Sequence, residues 1–81
     1  MKDYIATFHT HADALMAHRN LSGKNIDSRM MPVPRKLSSS CGTCVRYRSE
    51  DSCEALLLPT DPEAIYYVNG IHVYTKIFDG E

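Results

Sequence analysis

Two thiols, a run of serines, two cations and a glycine fall within Pro34-Arg35-Lys36-Leu37-Ser38-Ser39-Ser40-Cys41-Gly42-Thr43-Cys44, a stretch with almost nothing apolar in it. A hydrophobic core has no use for such a run. A thiolate forms more readily beside positive charge and hydrogen-bond donors. Arg35, Lys36, the hydroxyls of Ser38, Ser39 and Ser40 and the amides around Gly42 could supply both. Cys41 is therefore the first candidate for a reactive atom, with Cys44 its neighbour in a Cys-x-x-Cys spacing.

That spacing supports three different chemistries. In a thioredoxin-like redox pair the motif opens a helix, whereas here it runs into Val45-Arg46-Tyr47-Arg48, which alternates apolar and cationic residues as a strand does. In a zinc site, Cys41, Cys44 and Cys53 would be three ligands and one of His9, His11 or His72 the fourth, but no second closely spaced ligand pair exists. In the third reading Cys41 is a single nucleophilic thiol and Cys44 a bystander or a resolving thiol. The plainest alternative is a solvated loop with cysteines that pack as small apolar groups, and Cys53, beside Ala55 and Leu56, fits packing best. His9 and His11 flank the first strand-to-helix junction and could assist Cys41; surface or capping roles are the competing explanation.

The elements that must position these residues can be read along the chain. Tyr4–Phe8 reads as a strand, Thr10 as an N-cap, and the apolar spacing of Ala14, Leu15, Ala17 and Leu21 as a helix ending at Gly23. Residues 26–33 read as a second strand that Pro32 and Pro34 end, and 44–48 as a third. Residues 53–58 fit either a strand or a helical turn. Thr60-Asp61-Pro62-Glu63 has the composition of a helix start, so 61–69 is expected to be a second helix, carrying Tyr66 and Tyr67 and closed by Asn69-Gly70. Ile71–Phe78 is the clearest strand. The order β-α-β-β-α-β predicts a ferredoxin-like two-layer α+β sandwich, with both helices on one face of an antiparallel sheet. The other face would be left free for solvent or a second copy, which makes a homodimer an expectation.

Length and composition set the outer bounds. Eighty-one residues make a single domain, 1–81, that can bury only about 60–65% of its unfolded surface. Hydrophobic content of 43% and charged content of 23% are ordinary for a globular chain, and a net charge of −1 with balanced acids around Arg35, Lys36, Arg46 and Arg48 argues against nucleic-acid binding. No run approaches the ~20 apolar residues of a membrane span, and the start lacks the pattern of a signal peptide, so a cytoplasmic location is expected. An odd number of cysteines in a reducing compartment suits reactive or metal-bound thiols better than a disulfide framework.

The run Met31-Pro32-Val33-Pro34-Arg35-Lys36-Leu37-Ser38-Ser39-Ser40-Cys41-Gly42, preceded by Tyr4–Phe8 and the helix with Ala14 and Leu15, resembles the small bacterial family described as putative selenium/sulfur carrier protein-like. The likeness covers most of residues 3–48, and its specific part is the Pro-Arg, serine-run, Cys-Gly block. It implies transfer of sulfur or selenium bound to the matching cysteine, Cys41. Arg35 and Lys36 would then stabilise the anion or dock the donor, and Ser38, Ser39, Ser40 and Gly42 would shape the loop. The donor would be a cysteine desulfurase-like or selenocysteine lyase-like protein and the cargo a transferable sulfur or selenium atom, with no tightly bound cofactor. The chain would be a carrier rather than a free-standing enzyme.

Overall fold

The computed structural model describes residues 1–52, 57, 60 and 62–80. Its described elements are β1 (Lys2–Phe8), α1 (His11–Gly23), β2 (Asp27–Pro32), β3 (Thr43–Ser49), β4 (Pro62–Gly70) and β5 (Val73–Asp79). The strands form one antiparallel sheet in the order β2-β3-β1-β4-β5, so the protein is α+β with β1 at the centre.

The first half follows the sequence reading closely. Thr10 caps α1, its Oγ1 accepting the Asp13 amide at 3.1 Å. The helix ends in a Schellman motif, in which Ile26 N donates to Leu21 O and Asn25 N to Ser22 O, both at 3.0 Å. The left-handed residue of that motif is Asn25, with φ of 61°, and not the expected Gly23. Asparagine tolerates this region better than most side chains, so the stop sits two residues later than a glycine rule places it.

The second half corrects the sequence reading. Residues 62–69, expected as part of a helix over 61–69, belong instead to the strand β4, paired with β1 on one side and β5 on the other. The Thr-x-Pro-Glu signal is local, while Ile65, Tyr66, Tyr67 and Val68 are β-branched or aromatic and gain more as a strand between two others. The predicted two-helix ferredoxin-like sandwich therefore gives way to a five-stranded sheet with one helix among the described residues. Asn69-Gly70 closes a strand and leads through Ile71-His72 into β5. The alternatives for 53–58 fall outside the described residues, apart from Leu57, which is buried in the core.

Helix α1 lays Ala14, Ala17 and Leu21 on a sheet face formed by Tyr4, Ala6, Phe8, Val45, Tyr47 and Ile65, with Met30, Tyr67 and Phe78 at its margin. Small helix residues let the backbone come close to large sheet residues, an interdigitation that close packing favours. Tyr4 lies opposite both Tyr47 and Tyr67 in register; the first ring stacks at 5.4 Å and the second is tilted at 5.8 Å. Such pairs add about 0.5–1.5 kcal/mol each beyond area burial.

The opposite face is not simply open. Ile5, Thr7, Cys44 and Ala64 point away from the helix by the alternation of their strands, and all are buried. The β2–β3 loop lies on this side, where Lys36 and Leu37 line a cleft with His72, Val73 and Tyr74. Toward the β2 edge the face becomes polar, with Asp3, Asp27, Arg29, Arg46 and Arg48 around a second cleft.

Candidate functional site

The serine- and cysteine-bearing segment is the loop that joins β2 to β3, and its shape follows from its prolines and its glycine. Pro32 pairs with Thr43 as the last rung of the ladder, and Val33 N adds one bond to Gly42 O at 3.1 Å. Pro34 has no amide to continue the pairing, and a turn from Leu37 N to Pro34 O at 3.0 Å follows. Gly42 re-enters β3 with φ of 74°, a left-handed conformation that costs glycine little.

Three anchors fix the tip of this loop against the rest of the sheet. The Ser39 hydroxyl donates to the Phe8 carbonyl at 2.9 Å, tying the loop to the end of β1. Ser40 donates twice to the Glu63 carboxylate, from its amide at 3.1 Å and from its hydroxyl at 2.6 Å, tying it to the start of β4. His9 Nδ1 lies 3.3 Å from the same carboxylate. Burial raises the affinity of Glu63 for a proton, but the Ser40 hydroxyl and amide, the Ser39 hydroxyl and the nearby His9 together outweigh it and hold the carboxyl below its ordinary value.

Cys41 sits between these anchors and β3, half-buried. Its thiol donates to the Thr43 carbonyl at 3.3 Å, and the Ser39 hydroxyl oxygen is 3.9 Å from its sulfur. Cys44 belongs to β3 itself, in register with Thr7 on one side and Met31 on the other, and is fully buried. Its sulfur donates to the Pro32 carbonyl at 3.8 Å. Burial pushes the Cys44 thiol up to about 11, with the neighbouring Cys41 adding to the effect and Arg46 offsetting part of it. The Cys-x-x-Cys motif thus pairs an accessible thiol on a loop with a sealed one in a strand. No helix follows the motif, as its sequence predicts for a pair unlike thioredoxin's.

The other residues singled out from the sequence are placed more loosely. Arg35, Lys36 and Ser38 are exposed and make no hydrogen bond or ion pair with a described residue; Lys36 lies toward the β4–β5 turn, beside His72 and Tyr74. His11 is the exposed first residue of α1. Among the described residues, no three His, Cys, Asp or Glu side chains converge as metal ligands do. Cys53 lies outside them, so the three-cysteine zinc set is not described. No helix among the described residues is long and apolar enough to cross a membrane.

Glu63 is the member of this site that the sequence conceals. It stands 22 positions after Cys41, in a segment that reads as a helix start, and only the pairing of β4 with β1 carries it to Ser40 and His9. The Phe8 carbonyl is likewise visible only in three dimensions. No curated protein and no solved structure matches the chain. The sequence model of one family does match, over residues 3–66, a span that holds β1, α1, β2, the cysteine loop, β3 and the start of β4 with Glu63. Because that span takes in most of the chain and every anchor of the Cys41 loop, the protein belongs to the family described as putative Se/S carrier protein-like.

Proposed function

We propose that this protein carries sulfur or selenium as a persulfide or selenosulfide on Cys41. The observation that carries the reading is the contrast between the two described cysteines. Cys41 is accessible on an anchored loop, whereas Cys44 is fully buried and keeps its proton at neutral pH. The thiolate is the nucleophile in sulfur transfer, so the accessible thiol is the one that can load. Family membership supplies the cargo class.

Loading is an exchange without net oxidation. The Cys41 thiolate attacks the terminal sulfur of a donor persulfide, a new S–S bond forms at Cys41, and the donor's own S–S bond breaks to release the donor thiolate. Delivery repeats the step with an acceptor nucleophile attacking the terminal atom and the Cys41 thiolate leaving. Selenium follows the same course. The Thr43 carbonyl accepts from the thiol but can offer nothing to an anionic sulfur, while the Ser39 hydroxyl can turn from Phe8 to donate to it.

Arg35 and Lys36, exposed and without an ion pair among the described residues, are suited to meeting acidic groups on a cysteine desulfurase-like or selenocysteine lyase-like donor. The Glu63, Ser40 and Ser39 bonds hold the loop so that Cys41 is presented the same way at each encounter. Such a carrier works in the cytoplasm as a protein substrate of its donor, alone or as a homodimer. Cys44 lies within electrostatic range of Cys41 and serves as a second thiol only if the loop opens.

Intact mass of the reduced protein before and after a persulfide donor, with mapping of the modified peptide, tests this. A reductant-labile gain of one sulfur or selenium atom on Cys41, retained in Cys44→Ser and lost in a folded Cys41→Ser, is the expected result. An adduct that maps to Cys44 or Cys53, or none at all, overturns it.

A further inference from the structure

Away from the Cys41 loop, the β2 edge of the sheet face opposite α1 carries a cleft of about 290 Å³ lined by Asp3, Asp27, Arg29, Arg46 and Arg48, together with Ser28 and Tyr47. Its charges are arranged in cross-strand rows. Asp3, Arg48 and Asp27 form one row across β1, β3 and β2, and Ile5, Arg46 and Arg29 form the next, about 6.5 Å further along the strands. Arg46 and Arg29 are therefore direct cross-strand partners of like charge, an arrangement that is unfavourable unless something negative lies between them.

The one carboxylate bound in the cleft does not reach Arg29. Asp3 Oδ2 accepts from Arg46 Nη2 at 3.1 Å and Oδ1 from Arg48 Nε at 3.2 Å, so a single carboxylate serves two guanidiniums. Burial favours the protonated acid, but Arg46 and Arg48 outweigh it and hold Asp3 below the usual carboxylate range. Among the described residues Arg29 has no hydrogen-bond or ion-pair partner, and it lines the cleft. Among the described lining residues three guanidiniums face two carboxylates, a surplus of one positive charge.

We propose that this cleft binds a small monocarboxylate, its carboxylate held by Arg29 and by the donors of Arg46 that Asp3 leaves free. One negative charge matches the surplus, and the planar fork of arginine fits a carboxylate with two parallel bonds. The volume lies at the lower end of the range for ligand pockets, which suits a molecule of a few heavy atoms and excludes a nucleotide. The site lies one row from Cys44 and does not depend on what Cys41 carries.

The test is a titration followed by amide chemical shifts, with sodium acetate and sodium pyruvate added to the full chain at fixed pH and ionic strength. Saturable shifts centred on Asp27–Arg29 and Arg46–Arg48 are expected. Arg29→Gln, at an exposed position where the fold should persist, should weaken binding about tenfold or more. Asp3→Asn, which releases Arg46 and Arg48 from a competing carboxylate, should strengthen it, a gain that damage to the fold would not produce. Shifts that never saturate, equal affinity in Arg29→Gln, no gain in a folded Asp3→Asn, or saturation by inorganic phosphate but not by the carboxylates would each overturn the assignment.

Discussion

The buried thiol of Cys44 makes a prediction about stability that can be worked through. In the folded protein its proton affinity is raised from 9.0 to about 11, chiefly by burial. The unfolded chain gives up that proton near pH 9 and the folded chain keeps it for about two further units, so the native state binds more protons in this interval. Stability from this group is fully present below pH 9 and is lost as the pH rises from 9 through about 11. At about 1.4 kcal/mol per unit, the loss is on the order of 3 kcal/mol, a large share of what so small a domain is expected to have. Tyrosines and lysines titrate in the same range, so the measurement is a difference. Urea unfolding of the reduced wild type and of Cys44→Ala, followed by circular dichroism at intervals from about pH 8 upward, should show a steeper alkaline loss in the wild type. Cys41→Ser should diminish the loss without removing it, because the neighbouring thiol is only the second cause of the shift. Parallel pH profiles for wild type and Cys44→Ala would refute the argument, since they would mean that Cys44 titrates alike in both states.

Three further outcomes follow from the same contacts. Glu63→Gln leaves one acceptor where the carboxylate received two bonds from Ser40, and should cost about 1–3 kcal/mol of stability in urea unfolding while slowing Cys41 persulfidation in a mass time course; because this carboxyl is depressed, the wild type should also lose stability as the pH falls below the ordinary carboxylate range, and the variant should lack that loss. Gly42→Ala has open space for its methyl group but a φ of 74°, so it should destabilise by about 1–2 kcal/mol in thermal or urea melts, and Gly42→Asn by less. Gly80→Ala would drive its methyl group into the Pro62 carbonyl at the start of β4, beside the bond from Gly80 N to Glu63 O, and should cost about 1–3 kcal/mol and loosen the Glu63 anchor, read as faster amide exchange at Ser40.

How much of this was legible in the sequence depends on how far each determinant lies from the residue it determines. Thr10 caps a helix three residues away, and prolines at 32 and 34 stop a ladder at their own positions, so α1, β2 and the cysteine loop could be placed from local chemistry. β4 could not. Its first residues carry a helix-start signal, and its true state is set by Tyr4–Phe8 on one side and Val73–Asp79 on the other. The error put a helix where the sheet has a strand and, with it, lost the placement of Glu63. Tyr67, expected on a helix, instead rests against Tyr4 across the strands.

The same distinction separates what the motif announces from what makes it usable. A serine run ahead of Cys-Gly names a thiol, but serine hydroxyls in a solvated loop are interchangeable until something outside the loop selects among them. Here the sheet makes that selection: Ser39 is taken by the Phe8 carbonyl, Ser40 by Glu63, and Ser38 remains exposed. The basic pair meets a similar fate, since Lys36 is carried toward the β4–β5 turn, beside His72 and Tyr74. Under the proposed function, positive charge at Cys41 would come from the exposed Arg35 and Lys36 or from a donor, while the contribution seen among the described residues is geometric. Of the two described cysteines only Cys41 is accessible, on a loop held by bonds to two different strands, while Cys44 keeps its proton at neutral pH, so the proposed transfer would be confined to one of the pair. That restriction is what a carrier requires, because a cargo loaded on either of two cysteines would reach its acceptor in two different geometries.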